Sequence, residues 1–319
     1  MTAPLIVLGV SRSGTTLLRV MLDRSSGIAI PDESFFIPLL ARRHGQTVEP
    51  KAFLDNLSRI PNLRGWGVST EEVSKRLRSR MKIGEAISAI LECYATKAGK
   101  PRWGDKTPMY MRHLPLLEEL FPDAQYVHLI RDGRDAALSF LEMPEGTFTE
   151  TWAHPGDAAQ FACLWRKEVG DARVLGQRVG PDRYLEVRYE DLVTATSQVV
   201  ESICTFANLP FEPQMIEYAG AVDVSNKPHQ QRLLQSPTPG LRSWREDMSS
   251  VDVRAFEAIA GDRLSELGYE LRDPSPRSFS LQARVALGWY DLRLGAWNAA
   301  AAALQRSPLW RRRHPPLQA

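Results

Sequence analysis

A glycine-containing turn near the start of the sequence has the composition of an anion-binding loop. The turn reads Gly9-Val10-Ser11-Arg12-Ser13-Gly14-Thr15-Thr16. It follows the pattern G-x-x-x-x-G-K-S/T except at the lysine position, which Thr15 occupies. Such a loop directs backbone N–H groups and a helix N-terminus at a bound anion. The missing lysine makes a triphosphate ligand less favourable. Any glycine turn between a strand and a helix has a similar outline, but the presence of Arg12, Ser13, Thr15 and Thr16 in one loop favours an anion site.

A second polar turn begins at Arg131, directly after an apolar run at residues 125–130. Ser139 lies eight residues later, in the early turns of a predicted helix. Both side chains can therefore face one anion beside the positive end of that helix. The alternative is that Arg131, Asp132, Arg134 and Asp135 form a surface ion-pair cluster.

Three strand–turn–helix units position these polar turns. A continuous apolar run predicts a strand at residues 5–10, the same order of strand, turn and helix returns at 125–130, and a third short strand is predicted at 184–187. Helical spacing follows them at residues 15–22, 135–141 and 197–207. Strands that alternate with helices predict an α/β fold with a P-loop-like parallel β-sheet flanked by helices on both faces. Ligands bind such sheets at the carboxyl ends of the strands, where the polar turns fall.

Two other segments interrupt or follow these units. Residues 51–99 have a mostly helical pattern that we expect to break at residues 61–65, and they form a predicted helical insertion. Residues 227–244 are polar and rich in proline and glycine, which predicts a long functional loop.

Composition narrows the class of protein. The chain has 319 residues and 43% hydrophobic content, enough for one substantial core. Its net charge of +2 gives no reason to expect a nucleic-acid partner. Three widely spaced cysteines argue against a disulfide framework and favour a reducing compartment. With no signal-peptide pattern at the N-terminus, a cytoplasmic location is expected.

Several motifs occur together in the order typical of one family. They are residues 12–19, 21–23 and 32–34, Gly104-Asp105-Lys106-Thr107-Pro108, Leu129 to Asp135 with Ser139 beyond, and Tyr189-Glu190-Asp191-Leu192. Together they resemble the sulfotransferases that use 3′-phosphoadenosine-5′-phosphosulfate (PAPS), especially the bacterial and tyrosylprotein branches. The resemblance covers residues 5 to about 270. It implies the same P-loop-like α/β fold, PAPS as the sulfuryl donor and a hydroxyl group as the acceptor.

The resemblance also implies a donor site. The loop residues Arg12, Ser13, Gly14, Thr15 and Thr16 would bind the 5′-phosphosulfate, and Arg131 and Ser139 would bind the 3′-phosphate. Tyr189 belongs to the same predicted site, and Arg242, Trp244 and Arg245 fall where the family closes a basic loop over the nucleotide. Ser243 replaces the basic residue expected before the tryptophan, and Trp244 can equally be a core anchor.

Three residues are the catalytic candidates that the resemblance supplies. Glu33 matches the general base of tyrosylprotein sulfotransferases, Lys106 matches the lysine at the leaving group, and Arg12 is placed to assist it. Alternatively, Glu33 is a helix-start carboxylate that interacts with the helix dipole. Asp105 is either a second base candidate or a partner that orients Lys106.

Sulfuryl transfer is an in-line displacement that arginine, lysine and backbone donors can stabilise without a divalent ion. No metal is therefore expected, and no two of the six histidines have metal-ligand spacing. Two rival functions remain, a P-loop nucleotide-dependent kinase and a non-catalytic nucleotide-binding protein. The acceptor is open among sugars, lipids, phenols, peptide tyrosine and other small metabolites, and Phe35, Phe36, Trp66 and Tyr110 are candidates for its pocket.

The end of the chain differs from the rest. Residues 275–319 carry seven arginines and one acidic residue, a charge of +6 against −4 for residues 1–274. We expect a catalytic domain at 1–274 and a basic helical extension at 275–319. One apolar stripe is predicted on its helix: Leu281, Val285, Trp289, Leu292, Ala296, Ala300 and Leu304. We expect this stripe to be buried on its own domain or on a second subunit, with a membrane surface as the alternative.

Overall fold

A computed structural model of the chain describes residues 3–143, 154–218, 243–273 and 281–306. Six strands run at β1 Leu5–Leu8, β2 Thr47–Val48, β3 Met81–Lys82, β4 Gly104–Asp105, β5 Gln125–Ile130 and β6 Tyr184–Arg188. The helices of the first half are α1 Thr15–Asp23, α2 Ile37–His44, α3 Pro50–Leu57, α4 Pro61–Gly65, α5 Thr70–Ser74, α6 Ile83–Lys97, α7 Leu114–Leu120 and α8 Gly133–Leu141. The others are α9 Ala158–Val179, α10 Tyr189–Thr194, α11 Thr196–Ala207, α12 Trp244–Asp247, α13 Ser250–Glu266 and α14 Leu281–Arg306. Two 3₁₀ segments, Pro108–Arg112 and Pro213–Met215, complete the described elements.

Four parallel strands form the central sheet in the order β4-β1-β5-β6. The three predicted strands are its β1, β5 and β6, and the predicted α/β class is confirmed. Alternate strand residues point to opposite faces, and both faces are apolar. Ile6 and Tyr126 pack into one core with α6 and α9, whereas Val7 and Val127 pack into another with α1 and α11. Burial on both faces explains why β1 is a continuous apolar run and why β5 is mostly apolar.

The insertion differs from the prediction at one point. Residues 61–65 were expected to break the helical pattern, but they form α4, with Pro61 as its first residue. Proline is tolerated there because the first N–H groups of a helix have no intrahelical partner. The predicted long loop at 227–244 lies outside the described residues except for Ser243 and Trp244, and Trp244 begins α12.

The predicted apolar stripe of the tail does not pack on its own domain. Leu281, Val285, Trp289 and Leu292 are 78%, 52%, 64% and 62% exposed. The opposite face of α14, with Tyr290 and Leu294, is buried against the domain. Both faces of this helix are apolar, so residue spacing could not select the face that packs. No helix in the described ranges combines the length and apolar character needed to cross a bilayer.

Candidate active site

The polar segments of the sequence meet at the carboxyl edge of the central sheet. Residues 28–30 run beside β4, where Ala29 pairs with Trp103 in a parallel bridge. The chain from this segment leads to Glu33, and the next strand, β4, leads to Lys106. The anion-binding loop of residues 9–16, which we call the phosphate loop, follows β1. Arg131 follows β5, and Tyr189 follows β6. The sheet thus brings the ends of neighbouring extended segments together.

Two glycines allow the phosphate loop to pack closely. A Cβ on Gly9 would lie 2.8 Å from the Leu129 carbonyl oxygen of β5. Gly14 has φ 89°, and a Cβ there would lie 2.4 Å from the Tyr189 ring. Gly14 precedes α1, which has no side-chain cap and no acidic residue in its first turn. The N–H groups of this helix start are therefore available to an anion.

The predicted anion-binding side chains lie together behind this loop. Arg12 Nε donates to Ser139 Oγ at 3.0 Å, and Arg131 Nη1 donates to the Arg12 carbonyl oxygen at 3.2 Å. The Arg131 guanidinium also lies over the Tyr189 ring, 4.6 Å from its centroid. Ser13 Oγ and Arg131 Nε are buried without a hydrogen-bond partner in the described part of the chain. Buried polar groups are normally paired, so these two atoms fit a site that an anionic ligand completes.

Lys106 connects the phosphate loop to Glu33. Its Nζ donates to Thr16 Oγ1 at 3.2 Å and forms an ion pair with Glu33 Oε1. The Lys106 side chain is 2% exposed, whereas that of Glu33 is 29% exposed. Burial lowers the pKa of the Lys106 ammonium, and Glu33 opposes this effect. A buried cation therefore lies between the anion loop and a carboxylate that solvent can reach.

A hydrogen-bonded network holds the Glu33 loop in place. Ser34 N donates to Thr107 Oγ1 at 3.0 Å, and the hydroxyls of Ser34 and Tyr110 lie 2.7 Å apart. Asn62 Nδ2 donates to the Glu33 carbonyl oxygen at 2.7 Å, from α4 of the insertion. Asn62 had no predicted role, and Tyr110 was a candidate for the acceptor pocket. Tyr110 instead is fully buried and supports this loop.

Arg19 is a second supporting residue without a predicted role. It projects from α1, donates to the Ile30 carbonyl oxygen at 3.2 Å and forms an ion pair with Asp32 at 3.4 Å. The sequence signal for such a role was the position of Arg19 within the first family motif, residues 12–19. Arg19 links the helix of the phosphate loop to the segment that carries Glu33.

Asp105 is a buried carboxylate directly beside this pair. Neither of its oxygens accepts a hydrogen bond of normal geometry from the described residues. Burial raises the pKa of Asp105 to about 6, although the hydroxyls of Ser34 and Thr107 and the charge of Lys106 favour its ionised form. With 1% exposure, Asp105 cannot meet an acceptor from solvent without a rearrangement. Its position fits a partner of Lys106 better than a base.

The second polar turn is buried and not a surface cluster. Arg134 is completely buried and forms ion pairs with Asp132 at 2.7 Å and with Glu257 of α13 at 2.6 Å. Its guanidinium stacks 3.6 Å from the centroid of the Trp244 ring. Trp244 N donates to Asp135 Oδ1 at 2.8 Å. These contacts make Trp244 an anchor of the segment that follows residues 219–242.

The remaining members of the predicted basic loop are Arg242 and Arg245. Arg245 is half exposed and forms an ion pair with Glu270. Arg242 lies outside the described residues. Among the described residues, no group of three or more His, Cys, Asp or Glu side chains is arranged to hold a metal ion.

Comparisons with known proteins agree with this arrangement. The chain is 30% identical to protein-tyrosine sulfotransferase A of Caenorhabditis elegans over 68% of its own length and 53% of that protein. It therefore spans about half of that relative. It is 26% identical to the nodulation protein NoeE of Sinorhizobium fredii, over 92% of this chain and 75% of that protein.

Solved structures share the fold. The sulfotransferase domain of the Synechococcus PCC 7002 olefin synthase superposes with a TM-score of 0.56 at 24% identity, covering 85% of this chain and 97% of that domain. The sulfotransferase domain of the curacin biosynthetic pathway gives a TM-score of 0.54 at 23% identity, covering 85% and 99%. The sulfotransferase family profile matches residues 4–213, which contain every described residue of the site except Trp244 and Arg245. The chain belongs to the sulfotransferase family.

Proposed function

We propose that this chain transfers a sulfuryl group from PAPS to an acceptor hydroxyl by in-line displacement, with Glu33 as the general base. The observation that carries the proposal is Lys106, a buried cation in contact with both Glu33 and the phosphate loop. This position suits a group that stabilises the leaving oxygen while the neighbouring carboxylate accepts a proton.

The donor site is assigned to two neighbouring anion positions. The phosphate loop and the start of α1 would bind the 5′-phosphosulfate, with Arg12 adding positive charge. Arg131 and Ser139 would bind the 3′-phosphate. Ser13 Oγ and Arg131 Nε are buried and have no hydrogen-bond partner among the described residues, and they support both assignments, because a bound anion would supply that partner.

The catalytic roles follow from exposure and charge. The donor supplies the sulfur atom that the acceptor oxygen attacks, and its departing group is a phosphate oxygen. Glu33 is the more exposed member of the pair and would accept the proton of the attacking hydroxyl. Lys106, assisted by Arg12, would neutralise charge on the departing oxygen. Asp105 would act on Lys106 by position and not on the acceptor.

The acceptor class is proposed only as a hydroxyl compound. Phe35 and Met109 are 38% and 36% exposed and flank Glu33 and Lys106 in the sequence. They provide apolar surface that an acceptor can contact. The relatives named as protein-tyrosine sulfotransferases make peptide tyrosine the first acceptor to test.

A transfer assay with sulfur-labelled PAPS tests this function. The purified chain would be incubated with peptide tyrosine, phenol, sugar, lipid and small-metabolite acceptors, each with and without excess EDTA. We expect label in one acceptor class and equal transfer in EDTA, because no role is assigned to a divalent ion. Transfer that requires magnesium, or ATP consumption in place of PAPS consumption, would favour a kinase and contradict the proposal.

A further inference from the structure

Helix α14 has a second apolar face that the protein does not cover. Its inner face packs on α9 and α13 through Tyr290 and Leu294. Half of the ten exposed large hydrophobic side chains of the described residues lie elsewhere on this one helix. They are Leu281, Val285, Trp289, Leu292 and Leu304, with exposures between 49% and 78%. Clustering of this kind marks an interaction surface, whereas single exposed apolar residues do not.

The first four of these residues define what we call the outer face of α14. At 3.6 residues per turn, Leu281, Val285, Trp289 and Leu292 project within an arc of about 80°. Ala296 continues the same face and is also exposed. The outer face therefore covers four turns of the helix with large apolar side chains that include a tryptophan, a residue favoured where an apolar phase meets water.

The charges beside the outer face identify its partner. Arg284 and Arg293 lie on the two opposite flanks of the apolar arc, at about 80–100° from its centre, and Arg293 Nη1 also donates to Gln160 Oε1 of α9 at 3.2 Å. Asp291 is the only acidic residue of residues 275–319, and it lies 3.9 Å from Lys167 of α9. The whole segment carries +6 by sequence. A second copy docked face to face would bring another strongly basic segment against this one, which charge repulsion opposes. An anionic lipid surface offers negative charge on both flanks and an apolar phase between them.

We propose that α14 lies in the plane of an anionic lipid bilayer, with its outer face in the acyl–headgroup boundary and its flanking arginines at lipid phosphates. The inner face keeps the helix attached to α9 and α13, so the catalytic domain would be held at the membrane surface. This attachment is independent of the sulfuryl-transfer proposal, because no residue of the outer face belongs to the candidate active site.

Vesicle co-sedimentation tests the proposal with the full chain. The probes are phosphatidylcholine vesicles with and without phosphatidylserine. The variant Trp289→Ser/Leu292→Ser removes apolar surface from the outer face, and Val251→Ser is the matched control, since Val251 is 64% exposed on α13. We expect binding only to the anionic vesicles, at least about a tenfold weaker apparent affinity for the double variant, and no change for the control. Binding should also weaken as salt rises.

Two outcomes would overturn the proposal. One is absence of binding to anionic vesicles, or equal binding of the double variant. The other is a change of oligomeric mass caused by Trp289→Ser/Leu292→Ser in light scattering without lipid, which would assign the outer face to a second copy. Unchanged affinity of the double variant for 3′-phosphoadenosine-5′-phosphate (PAP), the desulfated donor, would show that the variant is folded.

Discussion

The carboxyl edge of the sheet and helix α14 depart from the usual distribution of polar and apolar groups in opposite directions. At the edge, charged side chains such as Lys106 and Asp105 are buried, at a cost in desolvation. On α14, large apolar side chains such as Trp289 and Leu292 are exposed. Neither arrangement helps the isolated chain to fold. Both regions therefore fit the proposed partners, an anionic donor at the edge and a surface with apolar and anionic parts at α14.

The largest expected effect tests whether the edge is organised for catalysis. Glu33→Gln should lower kcat by about 10²–10⁴-fold, because the amide cannot accept the proton of the acceptor hydroxyl. PAP affinity should change little. Steady-state kinetics with the acceptor found in the transfer assay measure the first quantity, and calorimetry the second. Glu119→Gln, at an exposed position of α7, is the control. A wild-type rate in Glu33→Gln would place the base elsewhere.

Lys106→Met should lower kcat by about 10²–10³-fold, because it removes the cation proposed to stabilise the leaving oxygen. Methionine keeps most of the side-chain volume in this buried position. The control is Lys97→Met, since Lys97 is half exposed at the end of α6 and forms an ion pair with Glu72, outside the candidate site. A loss of folded protein, seen by circular dichroism, without loss of kcat per folded molecule would reduce Lys106 to a structural role.

The pH dependence of the free energy of unfolding should show the cost of burying Asp105 at the carboxyl edge. The pKa of Asp105 is raised from 3.8 to about 6, so between these pH values the unfolded chain loses a proton that the folded chain keeps. The free energy of unfolding should therefore fall by about 2 kcal/mol as pH rises from about 4 to 6, and this part should be absent in Asp105→Asn. Urea unfolding of both proteins at pH 4 and pH 7 measures the difference. An equal pH dependence in the two proteins would mean that folding does not raise the pKa of Asp105.

Much of the carboxyl edge could be predicted from the sequence, because many of its polar residues lie in short segments directly after strands. Apolar runs followed by polar turns identified β1, β5 and β6, and the turns contain Arg12 and Arg131. β4 was not predicted, since a strand of two residues shows no periodicity. The role of Asn62, which reaches Glu33 from α4, was not predicted either. Such contacts depend on packing between distant segments, which no motif records.

On α14 and at Trp244 the sequence left alternatives that only tertiary structure could separate. Spacing along α14 is compatible with burial of either face, and the groove between α9 and α13 accepts the one with Tyr290. For Trp244 the sequence left open a place in the nucleotide loop or a role as a core anchor. The Arg134 guanidinium stacked on its ring fits the anchor. Arg134 itself lies in the first turn of α8, in a segment whose composition is equally typical of an exposed ion-pair cluster.

Calorimetry with PAP and adenosine monophosphate tests the central claim most directly, because it needs no acceptor. If Arg131 and Ser139 form a 3′-phosphate site, PAP should bind at least about tenfold more tightly than adenosine monophosphate, since charge-assisted hydrogen bonds to the extra phosphate contribute about 1.5–3 kcal/mol. Arg131→Gln should remove most of this preference while leaving adenosine monophosphate binding nearly unchanged. Equal affinity of the wild-type protein for the two nucleotides would contradict the assignment of PAPS as the donor.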